Sequence, residues 1–108
     1  MSHMHRIRLV RLTLAASIAV ISCSAFAQSG DVKARNWASS CNACHGPNGN
    51  SEGVMPVLAG RNKGDLAKAM EEFRDGKRKA TVMHQIVKGY TPEELAAIAD
   101  FYSRQVQK

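Results

Sequence analysis

The sequence predicts an all-α domain, because apolar residues recur at helical spacing and patterns typical of β-strands are nearly absent. Three amphipathic segments are separated by a long irregular stretch rich in glycine, proline and asparagine. At 108 residues the chain has room for one such domain. No internal repeat or low-complexity stretch indicates another architecture.

The first helix is predicted to start near Asp31, which can act as its N-cap. Ala34, Trp37, Ala38 and Cys41 then fall at i, i+3, i+4 and i+7, the spacing of one helix face. The cysteine pair that begins at Cys41 should therefore emerge on the buried face of this helix.

The second helix is predicted to be capped by Asp65 and to carry Leu66, Met70 and Phe73 on one face. Gly76 supplies the stop signal. This segment is the second of the three apolar faces available to a core.

The last helix has the clearest start signal, since Thr91–Glu94 combines a capping box with proline at the first helical position. Before it, Thr81–Lys88 can form a short helical turn. The apolar face of the last helix consists of Leu95, Ile98, Ala99 and Tyr102.

Residues 46–62 (GPNGNSEGVMPVLAGRN) form the long loop. A loop of this length inside a compact domain is usually functional or wrapped around something. Three helices with small apolar faces cannot fill a core without help, and a domain of this size often needs a staple. A large flat apolar body between the helices would explain both the small faces and the loop.

The first 27 residues are predicted to be an export signal that is cleaved after Ala27. Three arginines form a basic n-region, Leu12–Ile21 is an apolar run of ten residues, and Ala25–Ala27 is a small-x-small cleavage site. The run is too short to span a bilayer. The mature domain would be residues 28–108, located in the bacterial periplasm, with no membrane span.

Two alternatives remain open for this segment. It could persist as a short N-terminal membrane anchor, although the polar SCSAFAQSG follows where a stop-transfer pattern is expected. Val20–Cys23 also loosely fits a lipoprotein signal, which would place a lipid anchor on Cys23. In each case the product leaves the cytoplasm.

The net charge does not favour nucleic-acid binding. The chain has 15 basic and 9 acidic side chains, a formal charge of +6, which falls to +3 without the three arginines of the signal. No run of basic residues alternates with aromatic ones. Lys77–Lys79 could form a docking patch for an acidic partner or a solvated basic turn.

The segment CNACH places two cysteines three positions apart and a histidine directly after the second. In an exported chain, C-x-x-C-H is the attachment signature of a c-type haem. Cys41 and Cys44 would add to the two vinyl groups of the porphyrin, and His45 would then be the proximal ligand of the iron.

Three other uses of the motif are possible. A thioredoxin-like redox pair needs a βαβ setting that the sequence lacks. Structural zinc would need a fourth ligand, and His84 is the only other histidine after the predicted signal. A plain disulfide would close a very small loop and add little stability.

Taken together, these features resemble a class I c-type cytochrome over nearly all of residues 30–105. The resemblance is carried by CNACHG, by Pro56–Gly60 (PVLAG), by a late methionine and by the closing amphipathic helix. The stretch FRDGKRKATVMHQIVKGYTPEELAAIADFY is similar to the haem subunit of flavocytochrome c sulfide dehydrogenase and related single-haem subunits. The resemblance implies three to four helices wrapped around one covalently attached haem.

The same resemblance implies that Met83, 38 residues after His45, is the second axial ligand of the iron. Met55 belongs to the loop on the histidine side of the haem, and Met70 lies on the apolar face of the second helix. The alternative is that Met83 is a core residue and His84 binds the iron.

The resemblance also gives Pro56 a role, since its carbonyl can accept the Nδ1 hydrogen of His45 and fix the ring orientation. Pro56 could instead be only a turn-forming proline. Leu58 and Tyr90 are predicted to lie in the haem environment. They belong to a group of possible apolar walls that also contains Trp37, Phe73, Ile86 and Leu95.

A haem with both axial positions filled has no open site for a substrate, so the expected function is electron transfer and not catalysis. The expected partner is a flavoprotein dehydrogenase that oxidises sulfide or another reduced sulfur compound, or another redox protein. One alternative is a freely diffusing carrier that serves a terminal oxidase or reductase. The other is a small haem peroxidase, which would require the Met83 bond to be absent or readily displaced.

Overall fold

The computed structural model describes residues 30–108. The predicted export signal of residues 1–27, with Cys23 and the cleavage position after Ala27, lies outside the described residues. The chain divides into two units, Met1–Val32 and Lys33–Lys108, and only the second is described as a whole. Within residues 30–108 no helix is long and apolar enough to cross a membrane.

The described residues form five α-helices and two short 3₁₀ segments, and they contain no β-strand. This confirms the predicted all-α class. Helix α1 covers residues 30–39, α2 is Asn42–His45, α3 is Lys63–Arg74, α4 is Met83–Ile86 and α5 is Pro92–Ser103, and the 3₁₀ segments are Pro47–Gly49 and Val87–Gly89.

Two predicted helix caps were wrong. Asp31 lies inside α1, because residue 30 is already helical. Helix α3 is capped by Asn62, whose side-chain oxygen accepts hydrogen bonds from Gly64 N at 2.8 Å and Asp65 N at 3.2 Å. Asp65 instead lies in the first turn, where a carboxylate interacts favourably with the helix dipole.

Other predicted boundaries are confirmed. The Thr91 hydroxyl accepts a hydrogen bond from Glu94 N at 3.2 Å, and the Glu94 carboxylate accepts one from Thr91 N at 2.8 Å. Pro92 is the first residue of α5, where its missing N–H costs nothing. Helix α3 ends at Arg74, and Gly76 follows with φ of 74°, a left-handed conformation that suits glycine.

One small core joins α1, α3, α5 and the 3₁₀ segment Val87–Gly89. Its buried members are Ala34, Ala38, Leu66, Val87, Leu95, Ile98, Ala99, Phe101 and Tyr102. The side chain of Tyr102 crosses from α5 to the C-terminal end of α1, where its hydroxyl donates to Ala38 O at 2.7 Å and lies 2.8 Å from Asn42 Oδ1. This crossing fixes the start of the CNACH segment against the last helix.

Candidate functional site

The CNACH segment begins in a turn that follows α1 and continues into the single turn of α2. Cys41 N donates to Ala38 O at 3.0 Å, and His45 N donates to Cys41 O at 2.9 Å. The backbone therefore places both sulfur atoms and the imidazole within five consecutive residues. Cys41 is half-buried, Cys44 is exposed, and both are free thiols, whereas His45 is buried.

The His45 ring has one partnered nitrogen and one unpartnered nitrogen. Nδ1 lies 2.7 Å from the carbonyl oxygen of Pro56, and a carbonyl can only accept, so Nδ1 carries the proton. In the neutral imidazole Nε2 is then the nitrogen with the free lone pair, and it is buried without a hydrogen-bond partner within the described chain. A buried lone pair of this kind is costly unless it binds something.

A cavity of about 190 Å³ opens in front of this imidazole. Its lining is predominantly apolar and comes from the CNACH segment, the long loop, α3, α4 and α5. The walls include Leu58, Met70, Phe73, Ile86 and Ile98. The helices thus pack around an apolar gap, as the small apolar faces of the sequence predicted.

The structure brings most of the predicted site residues to this cavity. Those that line it are Cys41, Cys44, His45, Met55, Pro56, Leu58 and Met83. His84 does not line the cavity, and its buried Nδ1 has no partner within the described chain. Tyr90 does not line it either. Its hydroxyl lies 2.5 Å from Ser40 Oγ and donates to Trp37 O at 3.4 Å, and Ser40 borders the cavity.

The residues present fit a covalently bound haem. The cavity is apolar, the thiols of Cys41 and Cys44 border it, and the unpartnered Nε2 of His45 is a suitable iron ligand. The hydrogen bond from Nδ1 to Pro56 fixes the tautomer that a metal-binding Nε2 requires. Met83 adds a thioether to the same lining.

The electrostatics of Cys41 do not favour a redox pair of the thioredoxin type. Burial raises the pKa of the Cys41 thiol, outweighing its hydrogen bonds to Ser40 and Tyr102. Reactive cysteines of C-x-x-C redox motifs have lowered pKa values, because the thiolate is the nucleophile. A neutral, partly buried thiol at an apolar wall is the opposite situation.

The loop that carries Pro56 is closed at its base by backbone hydrogen bonds. The carbonyl of Gly49 accepts from Leu58 N at 2.8 Å and from Ala59 N at 3.2 Å. Gly49 has φ of 77°, and a Cβ at this position would stand 2.7 Å from Cδ1 of Tyr102. The close approach of loop and ring therefore requires a glycine.

A side-chain amide also ties this loop to the last residues of the chain. Asn50 Nδ2 donates to Val106 O at 3.0 Å, and Lys108 N donates to Asn50 Oδ1 at 2.9 Å. The amide thus pairs with the chain as a peptide unit would in a sheet. Nearby, Gly60 N donates to Tyr102 O at 3.0 Å.

Two arginines of the cavity lining were missed as site residues at the sequence level. Arg61 directly follows the PVLAG segment, and Arg78 belongs to the basic run Lys77–Lys79. Both lie outside the helix faces that the apolar periodicity identified. The sequence shows only that Arg61 adjoins the PVLAG motif and that Arg78 lies in a basic run. Neither position reveals where the guanidinium group lies in the fold.

Comparison with known proteins agrees with this site. The family model described as cytochrome C oxidase, cbb3-type, subunit III matches residues 29–101. Among curated proteins, the "Cytochrome subunit of sulfide dehydrogenase" of Chlorobaculum tepidum is 39% identical over 69 residues. This match covers 64% of the present chain and 63% of that protein, slightly less than two thirds of its length.

Two further relatives are a protein named as a cytochrome and one named as an electron acceptor. "Cytochrome c-554(548)" of Halomonas halodenitrificans is 37% identical over 71 residues, which is 60% of this chain and 83% of that protein. The "Thiosulfate dehydrogenase electron acceptor" of Thiomonas intermedia is 38% identical over 69 residues, which is 62% of this chain and 32% of that protein.

Proposed function

The chain belongs to the cytochrome c family, whose members bind haem c covalently, and on this premise we propose that residues 28–108 carry one haem c and transfer electrons. The observation that carries the proposal is the imidazole of His45. Its Nδ1 is held by Pro56, and its Nε2 is buried and unpartnered at an apolar cavity bordered by Cys41 and Cys44.

In the proposed site, Cys41 and Cys44 would form the two thioether bonds, and Nε2 of His45 and the thioether sulfur of Met83 would bind the iron. Two observations support Met83 over His84: Met83 lines the cavity, and His84 does not. When bound, haem c supplies a one-electron couple between ferrous and ferric iron. Leu58 contributes to the apolar wall, whereas Tyr90 supports the site through Ser40.

The chain's own residues would set the properties of that couple. The Pro56 carbonyl holds the Nδ1 proton of His45, which fixes the ring and makes Nε2 more basic. The thioether of Met83 is a soft ligand that favours the ferrous state, and the apolar walls exclude water and disfavour the extra charge of ferric iron. The expected result is a fairly high reduction potential.

Covalent attachment is tested by exporting the full chain together with haem-attachment machinery. Wild-type protein should keep its haem stain on a denaturing gel, because thioether bonds survive denaturation. The Cys41→Ser/Cys44→Ser variant should lose the stain. Unstained, correctly exported wild-type protein would refute the proposal.

For the physiological role, we propose the cytochrome subunit of a flavoprotein dehydrogenase that oxidises sulfide or another reduced sulfur compound. The names of the Chlorobaculum and Thiomonas relatives support this assignment. The exposed side of the attachment segment also supports it, because Ala43 and Cys44 are uncharged and suit close contact better than long-range steering.

Gel filtration of native periplasmic extract at moderate salt tests both the partner and the location. The haem should elute with a flavin, at a size well above that of this chain, and should be absent from the cytoplasmic fraction. Elution of all haem at the size of the isolated chain, without flavin, would favour a freely diffusing carrier. Haem retained in the membrane fraction would favour the lipid anchor at Cys23.

A further inference from the structure

Arg61 and Arg78 lie where the apolar cavity meets a second, polar one. The second cavity has a volume of about 250 Å³. It is lined by Arg61, Asp65, Leu66, Lys68, Ala69, Glu72 and Arg78. Both arginines also line the first cavity, whereas Asp65, Lys68 and Glu72 do not. The two guanidinium groups are therefore the charged groups at the border between the cavities.

Arg78 is held in place by its neighbours. Its Nε and Nη2 donate to Glu72 Oε2 at 3.0 and 2.8 Å, and its guanidinium carbon lies 5.4 Å from the centre of the Phe73 ring. These contacts use one edge of the guanidinium and leave Nη1 available. Since a guanidinium has five donors, Arg78 can bind a second carboxylate while it keeps Glu72.

Arg61 differs, because its guanidinium has no hydrogen bond or ion pair with any described residue. Only its backbone N–H is used, in a bond to Leu58 O at 3.3 Å. The other cation of the polar cavity, Lys68, lies 3.9 Å from Glu72. The polar cavity thus has three cations and two carboxylates. The cation without a carboxylate partner among the described residues is Arg61, which also lines the apolar cavity.

We propose that Arg61 and Arg78 bind the propionate carboxylates of the haem. This inference rests on the proposed function, since it needs a haem in the apolar cavity. Haem is an apolar plate with two carboxylates, and the site offers an apolar cavity with two guanidinium groups at one border. Guanidinium groups bind carboxylates in paired hydrogen bonds, so the pair would hold the propionates and compensate their charge.

The arrangement has an electrostatic consequence. A cation beside the propionates compensates their charge and stabilises the ferrous state relative to the ferric state, which has one more positive charge. Arg61 should stabilise the ferrous state more than Lys68 does, because the Lys68 side chain is 75% exposed and borders only the polar cavity. Lys68 is therefore a matched control with the same charge in the same depression.

The test compares haem-loaded, full-length wild type with Arg61→Gln, Arg61→Lys and Lys68→Gln. Two quantities are measured: the reduction potential, and the propionate bending band in the resonance Raman spectrum, which responds to hydrogen bonding at those carboxylates. Arg61→Gln should lower the potential and shift the band. Arg61→Lys should keep most of the potential and still shift the band, and Lys68→Gln should change neither.

An unshifted propionate band in Arg61→Gln, or equal changes in Arg61→Gln and Lys68→Gln, would overturn the proposal. If Arg61→Gln does not fold, Arg61→Lys decides the question through the same band. The haem stain on a denaturing gel separates this proposal from the preceding one. A stained protein whose band is insensitive to Arg61 refutes only the role of the arginine, whereas an unstained wild type refutes haem attachment itself.

Discussion

The hydroxyl of Tyr102 donates a hydrogen bond to the carbonyl oxygen of Ala38, 64 positions earlier in the chain, at 2.7 Å. The acceptor lies near the end of α1, three residues before Cys41, so the bond joins α5 to the start of the CNACH segment. Tyr102 is 1% exposed, and its hydroxyl is one of two donors to this carbonyl, the other being Cys41 N at 3.0 Å.

Tyr102→Phe should lower the free energy of unfolding of the haem-loaded protein by about 1 kcal/mol, the usual net contribution of one hydrogen bond, because Ala38 O keeps its bond from Cys41 N. Denaturant unfolding of wild type and variant gives this difference. Tyr90→Phe is the matched control, because its hydroxyl partner Ser40 is exposed and can turn to water. A larger loss for Tyr90→Phe than for Tyr102→Phe would contradict the ranking.

The contribution of Tyr102 should also depend on pH in the alkaline range. Burial raises the pKa of the Tyr102 phenol well above its usual range, with smaller contributions from Cys41 and Tyr90. In the unfolded chain the Tyr102 phenol ionises at about pH 10, whereas in the folded protein it keeps its proton at that pH. The stabilisation is therefore complete below about pH 10 and is lost as the pH rises further.

This dependence is measured as the difference in unfolding free energy between wild type and Tyr102→Phe, from about pH 8 to about pH 11. The difference should be constant at the lower values and should shrink above about pH 10. Taking the difference removes the contribution of the lysines, which titrate in the same range. A difference that stays constant to the highest pH would show that the phenol is not protected.

Met83 and Met55 allow a paired test of the axial ligand, because both line the cavity and both are half-buried. Met83→Ala should abolish the weak long-wavelength methionine-to-iron absorption band, lower the reduction potential and let carbon monoxide bind ferrous iron. Met55→Ala should leave all three properties unchanged. If the effects were exchanged between the two variants, the ligand would be Met55.

Gly49→Ala should destabilise the protein by about 2–3 kcal/mol, because two costs combine. The residue has φ of 77°, and the added Cβ would stand 2.7 Å from Cδ1 of Tyr102. Gly53→Ala in the same loop is the control, since a Cβ there meets nothing within 4 Å, and its effect should stay within about 0.5 kcal/mol. Equal effects would show that the loop adapts freely.

Features encoded in short stretches were predictable from the sequence. The capping box at Thr91 and the stop at Gly76 depend on neighbours within a few residues, and both are present. The all-α class followed from periodicity, and family membership followed from CNACHG with the PVLAG segment. The cap of α3 was misassigned because Asn62 and Asp65 are both good capping residues, and sequence alone does not show which oxygen faces the free N–H groups.

Features that join distant positions were not predictable in the same way. The pairing of Asn50 with the chain near Val106 connects positions 56 apart, and no periodic pattern links an amide to a backbone carbonyl at that distance. Arg61 and Arg78 come to the apolar cavity from two different segments, and no periodic pattern shows that their guanidinium groups share a cavity. The axial role of Met83 remains a prediction until the paired variants are measured.

The hydrogen bonds of Asn50 indicate the order in which parts of the chain fold after synthesis. Its two backbone partners lie at positions 106 and 108, and the loop that carries Pro56 follows directly after it. A chain synthesised from its N-terminus presents CNACH well before these partners have been made. Contacts between such distant positions also form late, since a long segment must be closed before they can be made. We therefore expect the attachment cysteines to meet the haem in an open, accessible segment, with the final residues closing the loop over the histidine afterwards.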